Sequence, residues 1–581
     1  MVEQNSNKSV EDRNAAYRIL VMTVSAVVIG LVVSLAAIAF VDLVIALNHA
    51  LLVSPRARVQ FDGADWLLTL ATLMVPAAGG LVVGVLLRLS PEKRPLGPLD
   101  VVKSVQLALP PPTAKAGILS TIASVISLGF GASVGQYGPL VYLGAMAGSA
   151  LQRLSIRVPN FAAIAMACGV AAAISTAFNA PIAGLVFAHE VILRHYSMQA
   201  FAPTTVAAAT GYIVANVMFE RDPLFLVEFA GVKHGHEFVL FAILGILASL
   251  VAIGFMRLIL KIAALAAVSS IQRMYQPAFA GFAVGLTALW LPDVLGFGNE
   301  ALRFATIEGA FFAWELALLV LAKIALTALC IGFGFAGGVF SPALLIGILF
   351  GALCWMMVDA TGLIASSGIV PYAICGMMAV TSAVIGAPLT TILIVFELTR
   401  NYDLTIAAMV SVVFSNAITY RVFGRSLFDV QLATRGIDLS QGRDRAWLSR
   451  QLVSTLLVRD YSSCAPDDTI GDVADRLRGM RRTDVLVLND DHQLVGMCDP
   501  HRHDRYTEDP VSDWMEPPAL TFDNTTTLSQ AVRKLEGFVD GAIPIVERDT
   551  KILLGVVTQA DIIKSYLSAV RSLRREEHAT A

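Results

Sequence analysis

The chain has 581 residues, 56% of them hydrophobic and only 15% charged, with a mean hydropathy of +0.69. Soluble domains carry about 25% charged residues, so most of this chain cannot face water, and a soluble enzyme, a nucleic-acid binder and a disordered scaffold are excluded. The net charge of -3 says nothing about partners, and the six scattered cysteines form no CxxC pair, against a disulfide framework or a zinc site.

In chain order, the first sixteen residues are polar, and the apolar run Ile19 to Leu47 is too long for the core of a signal peptide. Lys8, Arg13 and Arg18 precede that run, which favours a cytoplasmic N-terminus. Later apolar segments are broken by Gly and Pro at GFGASVGQYGP (129–139), FNAPIAG (178–184), FGFAGGVFSPA (333–343) and GAPLTT (386–391). Backbone that leaves a helix at membrane depth must be buried in protein or line a wet cavity. Broken helices are a mark of transport proteins, and their N-terminal ends attract anions. A single such break serves helix packing equally well. Two Gly-rich breaks, each with Pro just inside a new helix, favour a substrate site. FNAPIAGLVFAHEVIL (178–193) and IGAPLTTILIVFELTR (385–400) share Ala-Pro, an apolar run and a late glutamate, Glu190 or Glu397. That points to an internal repeat, inverted in many transporters.

From about residue 441 roughly 29% of residues are charged, against roughly 10% before it. The expected division is a membrane domain over 1–437, a linker over 438–455, modules over 456–510 and 511–570, and a tail over 571–581. The polar C-terminal part has no evident export route, so it is expected in the cytoplasm, with an even number of crossings.

Together these motifs resemble the CLC family of anion channels and anion/proton exchangers. GGVFSPALLIG (337–347) looks like its G-x-F-x-P segment, and GQYGP (135–139) stands where the family has G-R-E-G-P. FNAPIAGLVFAHE (178–190) is similar to the segment leading to the internal proton glutamate, and SLFDVQLATRGI (426–437) to the S-I-Y-D…L-x-x-R-G-I joining the last membrane helix to the tail. The resemblance implies an all-α polytopic membrane protein with inverted repeats and broken helices. It also implies a homodimer in the lipid bilayer, in this case the bacterial inner membrane, with one inorganic-anion pore per subunit. An anion at the midplane is expected to be held by backbone N–H groups at helix starts, because formal positive charge there would hold it too tightly.

The departures from the family pattern bear on mechanism. The gating glutamate and the arginine before it are replaced by Tyr137 and Gln136. A phenol stays protonated across the physiological range and mimics neither the anion-like nor the proton-carrying action of a carboxylate. Tyr137 is either an aromatic packed at a helix start or a neutral phenol donating to an anion. The internal proton glutamate falls at Val191, which cannot carry a proton. Glu190 is one place off and reads first as structural; His189 beside it reads first as a hydrogen-bonded packing residue. The first anion-binding segment is best matched by PLGPL (95–99), which puts Leu96 at the central serine and Gly97 after it; Phe428 replaces the central tyrosine. The expected anion pathway is therefore Leu96, Gly97, Gln136, Tyr137, Gly138, Val339, Phe340 and Phe428.

In the tail, TDVLVLNDDHQLVGMCD (483–499) and GAIPIVERDTKILLGVVTQADII (541–563) share a strand and a glycine turn. They resemble an α+β tandem pair of CBS modules, which in several families bind adenine nucleotides. The second copy keeps G-x-x-T-x-x-D as Gly555, Thr558 and Asp561, whereas the first has Cys498 and Asp499 at that place. Either an adenine nucleotide binds at Thr558 and Asp561, or the pair is a dimerising platform without ligand. His501 and His503 read as part of a solvated loop. Three functions stay open: a passive, proton-uncoupled channel or uniporter for chloride, nitrate or bicarbonate; an exchanger with a non-standard proton route through Glu190 and His189; and a transport-inactive, nucleotide-sensing scaffold. None needs a cofactor or a metal, and no constellation of residues suggests an enzyme.

Overall fold

Gly, Asn and Pro punctuate the apolar sequence, and several helices start or stop at them, among them those that open at Pro98, Pro181 and Pro388 and those that end on Asn179 and Gly386. The computed structural model describes residues 2–111, 113–151, 160–221, 229, 231–296, 298–439, 447–477, 485–503, 508–538 and 541–578. Of residues 2–17, 56, 299, 501, 503, 569 and 572–578 only the backbone is described, so the side chains of Lys8, Arg13, His501 and His503 lie outside the described ones. Two compact units form, Met1–Ile437 and Asp438–His578.

The first unit is helical: α1 Val2–Ala50, α2 Pro55–Val59, α3 Asp65–Leu89, α4 Pro98–Gln106, α5 Ala114–Gly129, α6 Tyr137–Ala150, α7 Phe161–Phe178, α8 Pro181–Phe187, α9 Met198–Tyr212, α10 Glu237–Val268, α11 Gln276–Ala288, α12 Asn299–Phe304, α13 Ala313–Gly332, α14 Phe340–Asp359, α15 Ile369–Ile385, α16 Pro388–Thr399, α17 Tyr402–Val422 and α18 Leu427–Ala433. α8 and α9 continue as π-helical turns, Ala188–Leu193 and Ile213–Met218. Among the described residues, eight helices are long and apolar enough to cross a membrane.

The two halves of this unit follow one local plan. α7 ends on Asn179 (φ 58°) and α15 on Gly386 (φ 73°), the left-handed cap that favours Gly or Asn. Ala-Pro follows in both, with Pro181 and Pro388 opening α8 and α16, where a missing N–H costs nothing. GFGASVGQYGP (129–139) and GFGFAGGVFSP (332–342) align without a gap, and at the same place in each, Tyr137 and Phe340, a helix begins. α6 packs on α7 through Gly144 and Gly169, where an added Cβ would fall 2.3 Å or less from the facing carbonyl oxygen. α14 packs on α15 through Gly347 and Gly376 with a clearance of 2.5 Å to the facing oxygen. Such contacts are how apolar helices associate without a hydrophobic driving force.

The second unit holds two three-stranded sheets of the same design. β1 Ser463–Cys464, β2 Val485–Leu488 and β3 Leu494–Cys498 form one; β4 Phe522–Asp523, β5 Ala542–Val546 and β6 Leu553–Thr558 form the other. In each, the first pair is parallel and the second antiparallel. The helices are α19 Ile470–Leu477, α20 Leu528–Lys534 and α21 Gln559–His578. The modules exchange their entering segments. Val458 pairs with Val556 in β6 (2.8 and 3.0 Å), and Glu516 pairs with Met497 in β3 (2.8 Å both ways). Neither module is closed without the other.

Candidate functional site

Three helix starts and one short helix converge in the first unit. The starts of α6 and α14 are tied by a reciprocal pair: Gly135 N–H donates to Gly338 O and Gly338 N–H to Gly135 O, both 2.8 Å. A Cβ on Gly138 would lie 2.8 Å from Gly338 Cα, so only glycine permits this approach. The first-turn N–H groups of α6 and α14, at Tyr137, Gly138 and Phe340, have no acceptor within their own helix. These residues line a cavity of about 310 Å³ whose wall includes Leu96, Gly97, Tyr137, Gly138, Val339, Phe340 and Phe428. Seven of the eight residues expected in the pathway are thus together.

The eighth, Gln136, is not in that wall. It is the buried residue before α6, its N–H donating to Ser341 Oγ (3.3 Å), its side chain beside the Tyr137 hydroxyl. The start of α4 is held from behind: Ser120 Oγ accepts from Leu96 N–H (2.8 Å), and Asp100 accepts from Gly97 N–H (3.1 Å). Asp100, the one acidic residue in the described wall, pairs with Arg94 at 2.6 Å. Its charge is therefore compensated, and the Arg435 guanidinium in the same wall leaves the cavity favourable to an anion.

Tyr137 is 2% exposed and closes one side of the cavity. Its ring stacks on Phe178 (centroids 3.9 Å, 18°) and meets Phe340 edge-on (5.2 Å, 62°). Phe187 approaches Phe340 at 6.5 Å. Phe178 and Phe187 were not singled out in the sequence, although they are the first and last aromatic positions of FNAPIAGLVF. An apolar residue in a long apolar helix carries no signal of which face it occupies.

Glu190 is committed elsewhere. Its carboxylate accepts from Leu389 N–H (3.0 Å), Thr390 N–H (2.9 Å) and the Thr390 hydroxyl (2.7 Å), at the start of α16. Glu397 in α16 returns the contact, accepting from Ile182 N–H (2.9 Å) and Ala183 N–H (2.7 Å) at the start of α8. A carboxylate at a helix N-terminus answers both orphan donors and the macrodipole. The repeat was visible in the sequence; that each glutamate caps the other copy was not, because the contact is tertiary. Val191 is buried, and His189 is held at both nitrogens, with Nδ1–H donating to His195 O (2.8 Å) and Nε2 3.0 Å from Thr204 Oγ1.

A buried lysine also escaped the sequence reading. Lys323 in α13 donates to Val294 O (3.0 Å) and Gly296 O (2.6 Å), beneath a second cavity of about 310 Å³ lined by residues between Ile45 and Pro55 and between Pro292 and Arg303.

In the tail, Thr558 and Asp561 serve each other. The Thr558 hydroxyl donates to Asp561 Oδ2 (2.6 Å), and Asp561 N–H donates to Thr558 Oγ1 (3.1 Å), which caps α21. A cavity of about 190 Å³ is lined instead by Cys498, Asp499 and Arg502 of the first module and by Pro518, Phe538 and Gly541 of the second.

A convergence of helix starts on a cavity within a bundle of broken apolar helices defines a membrane anion transporter. The voltage gated chloride channel profile matches residues 79–420, and the CBS domain profile matches 453–500 and 511–568. The chain belongs to the voltage gated chloride channel (CLC) family, with a C-terminal CBS pair. The putative chloride channel protein ClcB-like of Ralstonia nicotianae is 30% identical over 351 residues, covering 59% of this chain and 80% of that protein. The fold is similar to that of a slow cyanobacterial Cl⁻/H⁺ antiporter (TM-score 0.64, 22% identity, 71% of this chain and 97% of that one). It is also similar to that of a CLC-type fluoride/proton antiporter (TM-score 0.61, 19% identity, 71% and 98%).

Proposed function

We propose that the protein is a passive, proton-uncoupled anion channel or uniporter, carrying chloride or a planar oxyanion such as nitrate or bicarbonate past Leu96, Tyr137, Phe340 and Phe428. The observation that carries this reading is Glu190. At the inner proton position the chain has Val191, and the neighbouring carboxylate is spent on three hydrogen bonds to α16. That carboxylate is spent as a cap on the start of α16 rather than free to swing between partners, which opposes a shuttling role. At the outer position, the stacked Tyr137 takes the place of a mobile carboxylate.

The protein acts as a homodimer, one path per subunit, in the bacterial inner membrane with both termini in the cytoplasm. The CBS pair binds an adenine nucleotide in the cavity beside Asp499 and Arg502. The capping bond between Thr558 and Asp561 favours that cleft over the intact motif.

Efflux of chloride, fluoride, nitrate and bicarbonate from proteoliposomes, with a potassium shunt to dissipate voltage, tests the reading. Flux of at least one anion, unchanged by a protonophore, is expected. No flux of any of them would leave a scaffold.

A further inference from the structure

The π-helical turn Ala188–Leu193 is tied on two sides to elements that line the cavity. From α4, the buried Gln106 amide donates to Ile192 O (2.7 Å) and Leu193 O (2.9 Å). On the side of α18, Arg194 Nη2 meets Asp429 Oδ1 at 2.7 Å, the two side chains being 12% and 14% exposed. The second oxygen of Asp429 accepts the Ser426 hydroxyl (2.7 Å), and Ser426 Oγ accepts Asp429 N–H (3.1 Å), so this carboxylate also fixes the start of α18.

Arg194 closes the π-helical turn at φ 60°, in the left-handed region that residues other than glycine seldom take. From that turn the Arg194 side chain reaches Asp429. Asp429 directly follows Phe428 in a helix of seven residues, too short to hold its place alone. A largely buried ion pair contributes geometry more dependably than stability.

We propose that Arg194 is a positioning residue: through Asp429 it fixes the Phe428 ring in the cavity wall and so sets the aperture that discriminates anions by size. This rests on the proposed anion path through the cavity. It assigns a role to the π-helical turn that involves no proton. The turn lies between α4, which carries Leu96 and Gly97, and α18, which carries Phe428, and it keeps the two walls in register.

The test is the ratio of thiocyanate to chloride efflux from proteoliposomes of the full-length protein, with thermal unfolding in detergent recorded alongside. Four variants are compared: Phe428→Ala, Arg194→Gly, their combination, and Arg194→Lys. Glycine suits the left-handed backbone while removing the charge, so a purely conformational role for residue 194 would leave Arg194→Gly like the wild type. Expected is a change of threefold or more in the ratio for both single variants, in the same direction, with the combination no larger than the bigger single effect. Arg194→Lys should return most of the wild-type ratio. A folded Arg194→Gly protein with the wild-type ratio, while Phe428→Ala shifts it, would overturn the positioning role and leave the path intact. An unchanged ratio in Phe428→Ala would remove the path from this wall and with it the basis of the inference. If Arg194→Gly does not fold, Asp429→Asn, which keeps the Ser426 contact, takes its place under the same criteria.

Discussion

On the proposed path, Tyr137 changes what the outer position can do. A carboxylate in this place can leave and return, because it exchanges one set of donors for another. A phenol stacked at 3.9 Å on Phe178 is held by dispersion and ring geometry, which no proton uptake releases. Tyr137→Ala should therefore raise anion flux by an order of magnitude or more in a proteoliposome efflux assay. It should also lower stability by about 3 kcal/mol, the usual cost of emptying a large buried aromatic. Tyr137→Phe keeps the stack and should keep the flux. A change of anion preference in that variant would show the hydroxyl donating to the ion. Leu96 and Phe428 bring no hydroxyl to the cavity wall, so an anion on the proposed path depends more on backbone donors and recovers less of its hydration. Chloride should then hold no large advantage over nitrate, and Leu96→Ser should shift the flux ratio toward chloride. Glu190→Ala should cost about 2 kcal/mol in detergent unfolding, as expected for losing charge-assisted hydrogen bonds, and leave any proton flux unaffected.

At the scale of elements, the path depends on how closely α6 and α14 approach. A Cβ on Gly338 would lie 2.8 Å from Gly138 N, with backbone on the facing side and nothing flexible to yield. Gly338→Ala should abolish transport and lower the unfolding temperature by several degrees. Gly97, also at a helix start in the same wall, has nothing within 4 Å of an added Cβ and an extended φ of -160°. Gly97→Ala should fold like the wild type, a direct contrast between a glycine needed for contact and one that is not. The same elements show what the sequence conveyed. Helix starts were legible because Pro181, Pro388 and the two Gly-rich breaks act through local backbone geometry. The convergence of α4, α6, α14 and α18 on one cavity was legible only through motif resemblance. The residues that make the cavity specific were not. Phe178, Phe187 and Ser120 are ordinary for membrane helices, and their roles depend on which face each helix presents. The aligned Gly-rich breaks, eleven residues each, were both noticed, yet their register as one repeat appeared only once Gly135 and Gly338 were seen paired.

For the whole molecule, two compact units divide the work. Strands β2, β3, β5 and β6 lie in the two segments readable from sequence, but β1, β4 and the exchange of Val458 and Glu516 between modules were not, the last being a pairing across more than ninety residues in one case and nineteen in the other. Within this unit a cavity lies at the degenerate motif of the first module, while Thr558 and Asp561 cap α21. Calorimetry of the full-length protein with ATP, ADP and AMP should therefore give a binding heat that Asp499→Ala removes and Asp561→Ala largely retains. The reverse pattern would return the site to the intact motif. The central claim concerns coupling, and it is tested most directly by imposing a steep chloride or nitrate gradient across proteoliposomes in weakly buffered medium and recording external pH. The account predicts that the anion runs down its gradient with no proton movement beyond that of protein-free vesicles. Sustained uphill proton movement that follows the anion gradient and collapses with a protonophore would contradict it, and its loss in a Glu190→Gln or His189→Ala variant would name the route.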